Sequence, residues 1–248
     1  MYRNTFLSVM FLACCFNGSL CAQSDAQIYE RTCDAKTYPF SDPSPVATPN
    51  NSYYPYFRFD GFSMQAQEKQ WKMVVLENDY VKLTVTPEIG GKIWGAIDKV
   101  NNKEFVYTNG VVKFRDVAMR GPWTSGGIEF NFGIIGHAPT CSTPIDYLTK
   151  KNVDGSVSCH IFSYEWITRT VWNVEINLPK DKAYFTTHTT WFNQSSIDQP
   201  YYQWMNAGYA TKTGTRFYYP GTYSIGHSGD LHPYPIDEEG RDVSWYDN

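Results

Sequence analysis

The sequence predicts an all-β protein built as a large antiparallel β-sandwich. From Trp71 onward, apolar and polar residues alternate with the period of two that is typical of half-buried strands. Clusters of Pro, Gly, Asn and Asp separate these runs, as turns separate strands. No stretch shows the apolar period of a capped helix, and no repeat of roughly 20–50 residues is found.

The first predicted strands surround a Gly-rich turn. Residues 81–85 (VKLTV) alternate in polarity, residues 87–91 (PEIGG) favour a turn, and residues 92–98 (KIWGAID) return as the next strand. A second turn over residues 100–103 leads to a strand over residues 104–107. This order predicts consecutive antiparallel strands.

A long hairpin is predicted in the second half of the chain. Residues 168–178 and 184–192 alternate in polarity on either side of a turn at residues 179–182. Both strands carry polar residues on one face, which is typical of an antiparallel sheet with one solvated side. A further strand is predicted over residues 201–210. A sandwich of two sheets is the natural closure for such strands.

The N-terminal part is predicted to have two sections. Residues 1–22 are predicted to be a signal peptide, because a positive charge precedes an apolar run over residues 6–16 and Ala22 offers a small residue for cleavage. The run is shorter than the roughly 20 residues that a membrane-spanning helix needs. We therefore expect export to the periplasm or beyond and no membrane span, with lipid attachment at Cys14 as the alternative. Residues 23–70 are predicted to be an irregular segment that packs on the domain.

The sandwich domain itself is predicted over residues 71–248. Its last residues, 244–248 (SWYDN), form an aromatic, turn-like stretch rather than a closing strand. Because a sandwich must pair or cover its edge strands, we expect the domain to be truncated at this end and incomplete.

The composition favours a sugar ligand over a nucleic acid. With a net charge of -4 and a pI of about 5.7, the chain offers no clustered basic face for phosphates. Aromatic residues make up 17% of the chain, with 19 Tyr and 8 Trp. Their rings offer a flat apolar face and a polar edge, which match the C–H faces and hydroxyls of a saccharide. No cofactor is predicted, and the Cys and His spacings predict no metal site.

Four sequence blocks resemble galactose-mutarotase-like domains. Residues 85–94 (VTPEIGGKIW) are similar to the opening hairpin of that superfamily. Residues 120–131 (RGPWTSGGIEFN), 136–140 (GHAPT) and 201–206 (YYQWMN) resemble a Bacteroidetes branch of unknown function that is often followed by tetratricopeptide repeats. The resemblance covers roughly residues 71–248. It implies a galactose-mutarotase-like supersandwich with a saccharide site on a concave sheet face.

Two departures from the superfamily argue against aldose 1-epimerase activity. Aldose epimerases use one His before a Gly-Gly pair and a second His after an Asn when they open the sugar ring. The matching positions in this sequence are Ser125 and Ala207, and neither side chain carries an imidazole for proton transfer. The resemblance therefore implies a sugar site without ordinary mutarotase chemistry.

Glu129 and His137 are the predicted catalytic residues. Glu129 lies in a Gly-rich stretch where backbone can approach a ligand closely, and we expect a solvent-open carboxylate there. His137 would supply the imidazole that the two epimerase positions lack. The structural alternatives are a Glu129 that pairs with Arg120 and a His137 that only shapes a loop. The predicted substrate-binding residues can stack on a sugar ring or bond its hydroxyls: Arg120, Trp123, Asn131, Trp204 and Asn206.

Two functions follow from these residues. The first is an exported carbohydrate-binding or carbohydrate-processing domain, including a glycoside hydrolase, which needs two carboxylates about 5–10 Å apart. Glu129 would be one, and Glu88, Asp116 or a residue beyond Asn248 the other. The second is a non-catalytic module that packs its aromatic face on C-terminal tetratricopeptide repeats. An open cleft at Glu129 and His137 favours the first function, and a buried layer favours the second.

Overall fold

The computed structural model describes residues 24–43, 57–58, 60–117, 121–133, 136–226 and 228–248. Within these ranges almost all regular structure is β-strand, so the protein is all-β, as predicted. A short 3-10 helix, Pro139–Ser142, interrupts the strands. The described ranges contain no helix that is long and apolar enough to cross a membrane. The predicted signal peptide over residues 1–22 lies outside the described residues.

The strands are numbered in chain order. The first nine are β1 (Gln27–Tyr38), β2 (Gln67–Glu77), β3 (Val81–Thr86), β4 (Lys92–Asp98), β5 (Lys103–Val106), β6 (Val112–Lys113), β7 (Arg115–Asp116), β8 (Pro122–Trp123) and β9 (Ile128–Asn131). The others are β10 (Asp146–Lys151), β11 (Val157–Glu165), β12 (Thr170–Leu178), β13 (Thr186–Asn193), β14 (Trp204–Ala207), β15 (Tyr223–Ile225) and β16 (Leu231–Pro233).

The strands form two main sheets. The larger sheet has eight strands in the order β14-β9-β4-β3-β2-β1-β6, with β5 paired to β4. Its neighbours run antiparallel except β1 and β6, which run parallel. The smaller sheet has the order β10-β11-β12-β13 and is antiparallel throughout. The predicted succession of antiparallel strands is therefore confirmed.

The two main sheets pack face to face around one apolar core. Ile128, Phe130 and Phe132 enter it from β9 and the residue that follows β9, whereas Trp172 and Val174 enter it from β12. The rings of Phe132 and Trp172 stack with centroids 4.4 Å apart and an interplanar angle of 11°. Because both sheets contribute their inner faces to this core, the predicted sandwich is confirmed.

The hairpin of β12 and β13 has the predicted solvated side. Alternate residues of β12, from Thr170 to Leu178, are buried in the core. β13 pairs with β12 and exposes Thr186, His188 and Thr190. The strand predicted over residues 201–210 is shorter, because only Trp204–Ala207 pairs with a neighbour.

The prediction of an irregular segment over residues 23–70 is wrong for Gln27–Tyr38. These residues form β1, which pairs with β2 from Gln27 opposite Glu77 to Thr37 opposite Gln67. Most side chains of β1 are polar and exposed on both faces, so the sequence shows no apolar alternation there. Backbone pairing to the apolar strand β2 holds this segment in the sheet, and a single-strand pattern does not reveal such pairing.

The larger sheet also buries part of its other face. Trp71, Met73, Trp94 and Phe114 belong to a second apolar cluster that is separate from the core between the sheets. Successive side chains of a strand point to opposite faces. Lys92 therefore shares the second face with Trp94, and this face carries the candidate site.

Candidate functional site

Strands β9 and β14 place four of the predicted site residues on the second face of the larger sheet. Glu129 and Asn131 alternate on β9 with residues that enter the core. Across the strand pair, Asn206 lies opposite Glu129 and Trp204 lies opposite Asn131. Directly opposed residues share a face and have neighbouring side chains. The sheet register therefore brings together a carboxylate, two amides and an indole.

Glu129 is the centre of a hydrogen-bonded cluster. Its Oε1 lies 2.8 Å from Nδ1 of His137 and accepts a hydrogen bond of 2.8 Å from Nδ2 of Asn131. The side-chain oxygen of Asn131 accepts the backbone N–H of Ala138, also at 2.8 Å. Asn131 therefore ties the loop that carries His137 to strand β9.

The backbone of His137 adopts a left-handed conformation, with φ of 52°. A non-glycine residue in this region costs on the order of 1 kcal/mol and persists only where its surroundings hold it in place. The contact from Nδ1 to Glu129 and the bond from Ala138 to Asn131 provide that restraint. Backbone strain of this kind is concentrated at functional sites, so the left-handed backbone makes His137 a candidate functional residue.

Two tryptophan rings flank the imidazole of His137. The ring centroid of Trp204 lies 4.8 Å from that of His137 at 79°, and the centroid of Trp123 lies 5.8 Å away at 75°. Both are edge-to-face contacts, which hold the imidazole in one orientation. The expected convergence of Glu129 and His137 with Trp123 and Trp204 is present in the geometry.

The expectation of a solvent-open Glu129 is wrong. The residue is 2% exposed, whereas the side chain of His137 is 22% exposed. His137, whose imidazole contacts the buried carboxylate, is therefore the more solvent-accessible of the two side chains.

Two buried polar atoms of this cluster have no hydrogen-bond partner among the described residues. They are Oε2 of Glu129 and Nε1 of Trp204. The first accepts hydrogen bonds when the carboxylate is ionised, and the second only donates. Buried polar atoms in folded proteins are nearly always paired. A hydroxyl group has the complementary chemistry for both, because it donates and accepts.

Residues 48–248 match the family model described as a domain of unknown function, DUF5107. The chain belongs to this family. The fold is also similar to the crystal structure of a TPR-domain containing protein from Parabacteroides distasonis, with a TM-score of 0.73 and 26% identity. That match covers 81% of this chain and 35% of the other, so the chain spans about a third of the length of that protein.

Lys92 is a residue near this cluster that the sequence did not single out. It is 1% exposed, and its Nζ donates to the backbone oxygen of Thr124 and, at 3.1 Å, to Thr124 Oγ1. Nζ also lies 6.0 Å from the ring centroid of Trp123. Burial lowers the pKa of Lys92, and the negative charge of Glu129 opposes that shift. The sequence of β4 does indicate this position, because the alternation of side chains along a strand places Lys92 on the same face as Trp94.

Cys141 lies near the same charges but is not a reactive group. It is a buried free thiol, and burial raises its pKa well above the usual range, with a further upward contribution from Glu129. The thiolate is the nucleophilic form of cysteine. Cys141 therefore remains a packed thiol at neutral pH.

The remaining residues named from the sequence either have other partners or lie outside the described residues. Arg120 lies outside the described residues, so its pairing with Glu129 stays a prediction. Ser125 is held by Asn109, whose Nδ2 donates to Ser125 O and Oγ at 2.7 Å each. Oε2 of Glu88 accepts the backbone N–H of Lys72 at 2.6 Å. Among the described residues, no second carboxylate hydrogen-bonds to the cluster, and no group of three or more metal-ligating side chains is found.

Proposed function

We propose that this DUF5107 domain binds a saccharide at the cluster of His137, Trp123, Trp204, Asn206 and Glu129. The observation that carries the proposal is the hydrogen bond between Glu129 Oε1 and His137 Nδ1. An ionised carboxylate only accepts hydrogen bonds, so Nδ1 carries a proton, and in the neutral imidazole Nε2 is then an acceptor. A partly exposed acceptor between two indoles suits a sugar hydroxyl beside an apolar ring face.

Each residue has a distinct part in the proposed binding. His137 accepts a hydroxyl proton at Nε2, and Glu129 is a positioning residue that fixes the tautomer of the imidazole. Trp123 and Trp204 provide the apolar walls. Asn206, which is half-buried and opposite Glu129, offers an amide to a second hydroxyl. The resemblance to galactose-mutarotase-like domains supports the same ligand class, and predicted export would bring the site into contact with glycans outside the cytoplasm.

Binding is the function that this geometry supports best, ahead of hydrolysis. A glycoside hydrolase of the common kind needs two carboxylates about 5–10 Å apart on either side of the scissile bond. Glu129 is buried and contacts His137, and within the described ranges Glu88 has one oxygen bonded to a backbone N–H outside the cluster. We therefore propose recognition of a sugar, with the Glu129–His137 pair as its polar centre.

Replacing His137 with alanine is expected to weaken saccharide binding at least tenfold. The variant loses the acceptor nitrogen, and hydrogen bonds of this strength contribute about 1–2 kcal/mol. Alanine removes the contact to Glu129 but keeps the bond from Ala138 to Asn131, so the fold should survive, and the melting temperature checks this. A glycan array on the full-length protein would identify the ligand, and isothermal titration calorimetry would then compare the variant with the wild type.

The matched control is His188→Ala, which removes an exposed histidine from β13 on the other sheet. It should leave the dissociation constant unchanged. If no glycan binds, or if His137→Ala binds as tightly as the wild type, the proposed site is wrong.

We also expect the protein not to accelerate the mutarotation of glucose or galactose. Ser125 and Ala207 carry no imidazole, and Ala207 lies opposite Ile128 rather than on the face of Glu129. Polarimetry on freshly dissolved α-glucose and α-galactose measures this directly. A rate clearly above the uncatalysed rate, and lost in His137→Ala, would show that one imidazole is sufficient for epimerase chemistry.

A second candidate function is assembly with further protein, and the burial of Glu129 and Asn131 is the arrangement that the sequence analysis connected with it. The described part of residues 201–246 exposes many aromatic side chains, among them Tyr201, Tyr218, Tyr219 and Tyr223. Such residues are enriched in protein interfaces, and the similar protein from Parabacteroides distasonis contains a TPR domain. Glycan binding that depends on His137 separates the candidates, because only the saccharide function requires it.

A further inference from the structure

A cavity of about 680 Å³ is lined in part by Thr140 and Ser142 of the short 3-10 helix, and its lining does not include Glu129 or His137. Its walls come from the end of β1, from the 3-10 helix and from the turn between β11 and β12, which contributes Trp166. This volume is within the range of about 300–1,000 Å³ that is usual for small-molecule sites.

One wall of the cavity is aromatic. Phe40 and Phe57 meet edge to face with centroids 5.6 Å apart, and Trp71 and Phe114 lie 6.0 Å apart. Trp166 also lines the cavity and is 61% exposed. A ligand in the cavity can therefore contact an indole that faces solvent, in addition to the buried rings. These flat apolar surfaces suit a ligand with an apolar face.

The remaining lining is polar and slightly negative, because it includes the carboxylates of Asp42 and Glu88 and the ammonium of Lys69. Oε2 of Glu88 is bonded to the N–H of Lys72, while Oε1 has no hydrogen-bond partner among the described residues. Oγ of Ser41 is buried and likewise has no partner in the described ranges. The ammonium of Lys69 lies 3.9 Å from the ring centroid of Trp71 and is engaged there. Carboxylate and hydroxyl groups without a free cation favour a neutral ligand with hydroxyl donors over an anion.

We propose that this cavity is a second binding site, for a neutral monosaccharide or one residue of a glycan chain. Hydroxyls of the sugar donate to Glu88 Oε1, and its C–H face lies on Trp166. The inference does not depend on the function proposed for His137, because the two sites share none of these side chains. A protein with both sites would hold two sugar residues at once.

The test uses the full-length protein with His137→Ala, so that binding at the first site is weakened. Saturation-transfer NMR with glucose, galactose, mannose, xylose and N-acetylglucosamine then reports binding at the cavity. We expect at least one of these sugars to bind the His137→Ala protein. Adding Trp166→Ala should weaken that sugar at least tenfold, whereas Trp166→Phe should retain most of the affinity because a flat ring remains.

Glu88→Gln provides a second variant, since glutamine keeps an oxygen that can accept the N–H of Lys72 but lowers the strength of the bond to a sugar hydroxyl. It should also weaken binding at least tenfold, with the melting temperature as the check on folding. Absence of binding by all five sugars in the His137→Ala protein would overturn the proposal. Binding that is unaffected by both Trp166→Ala and Glu88→Gln would do the same.

Discussion

The substitution Gly127→Ala is expected to lower the free energy of unfolding by about 3 kcal/mol. Gly127 has φ of +65°, and an added Cβ would lie 2.3 Å from the backbone oxygen of Ile93. The backbone oxygen of Ile93 cannot move aside for the added Cβ, whereas the end of a flexible side chain could. The residue also joins three segments, because its N–H donates to Tyr107 O and its O accepts from Gly208. Chemical denaturation of wild type and variant measures the loss.

Gly214→Ala is the matched control for this experiment. Gly214 has φ of +84°, but no described atom lies within 4 Å of the position that an added Cβ would occupy. It should therefore show only the conformational cost of a left-handed alanine, about 1 kcal/mol. Similar losses at the two glycines would mean that β4 and β9 can move apart. In that case the placement of Glu129 is less rigid than the contact with Ile93 implies.

Replacing Lys92 with methionine should lower the free energy of unfolding by about 2 kcal/mol. The change leaves the buried oxygens of Thr124 without their donor and removes the positive charge that balances Glu129. Removing a buried charge offsets part of this loss, because charged lysine is costly to bury. A double-mutant cycle with Glu129→Gln separates the two causes. If the loss is as large in the Glu129→Gln background, the charge of Glu129 plays no part.

The difference in stability between the wild type and Lys92→Met is expected to depend on pH. Burial lowers the pKa of Lys92 below its ordinary value of 10.5, so folded Lys92 releases its proton before unfolded Lys92 does. In the alkaline window between these two values, the unfolded state binds more protons, and stability rises with pH. The wild type should therefore gain stability relative to Lys92→Met as the pH rises through that window. An unchanged difference would show that Lys92 titrates as it does in water.

The strands could be predicted where one face of the strand is buried and the other is exposed to solvent. β3 and β12 alternate visibly in the sequence, and both lie where that alternation indicates. β1 could not be found in this way, because it is polar on both faces and is held by pairing with β2. The alternation of apolar and polar residues within one strand indicates which side chains are buried. Pairing between distant segments depends instead on the sequence of the partner strand.

The residues of the site could be predicted, but their arrangement could not. The sequence singled out Glu129, His137 and Asn131 as separate candidates, and the structure joins them by two hydrogen bonds to one carboxylate oxygen. Burial of Glu129 follows from its place on a central strand, which the Gly-rich sequence around it conceals. Lys92 was missed because an inward-facing lysine contradicts the usual expectation for a charged residue.

The burial of both faces of the larger sheet restricts how its central strands can change during evolution. In β2, Val74 and Leu76 enter the core between the sheets, whereas Trp71 and Met73 enter the cluster on the other face. An edge strand such as β13 tolerates most substitutions of its solvent-facing residues, because those side chains make few packing contacts. The second half of β2 has no outward side, so neutral drift there is confined to swaps between apolar residues of similar volume. Related chains should keep an unbroken apolar run at this place even where their surfaces have diverged.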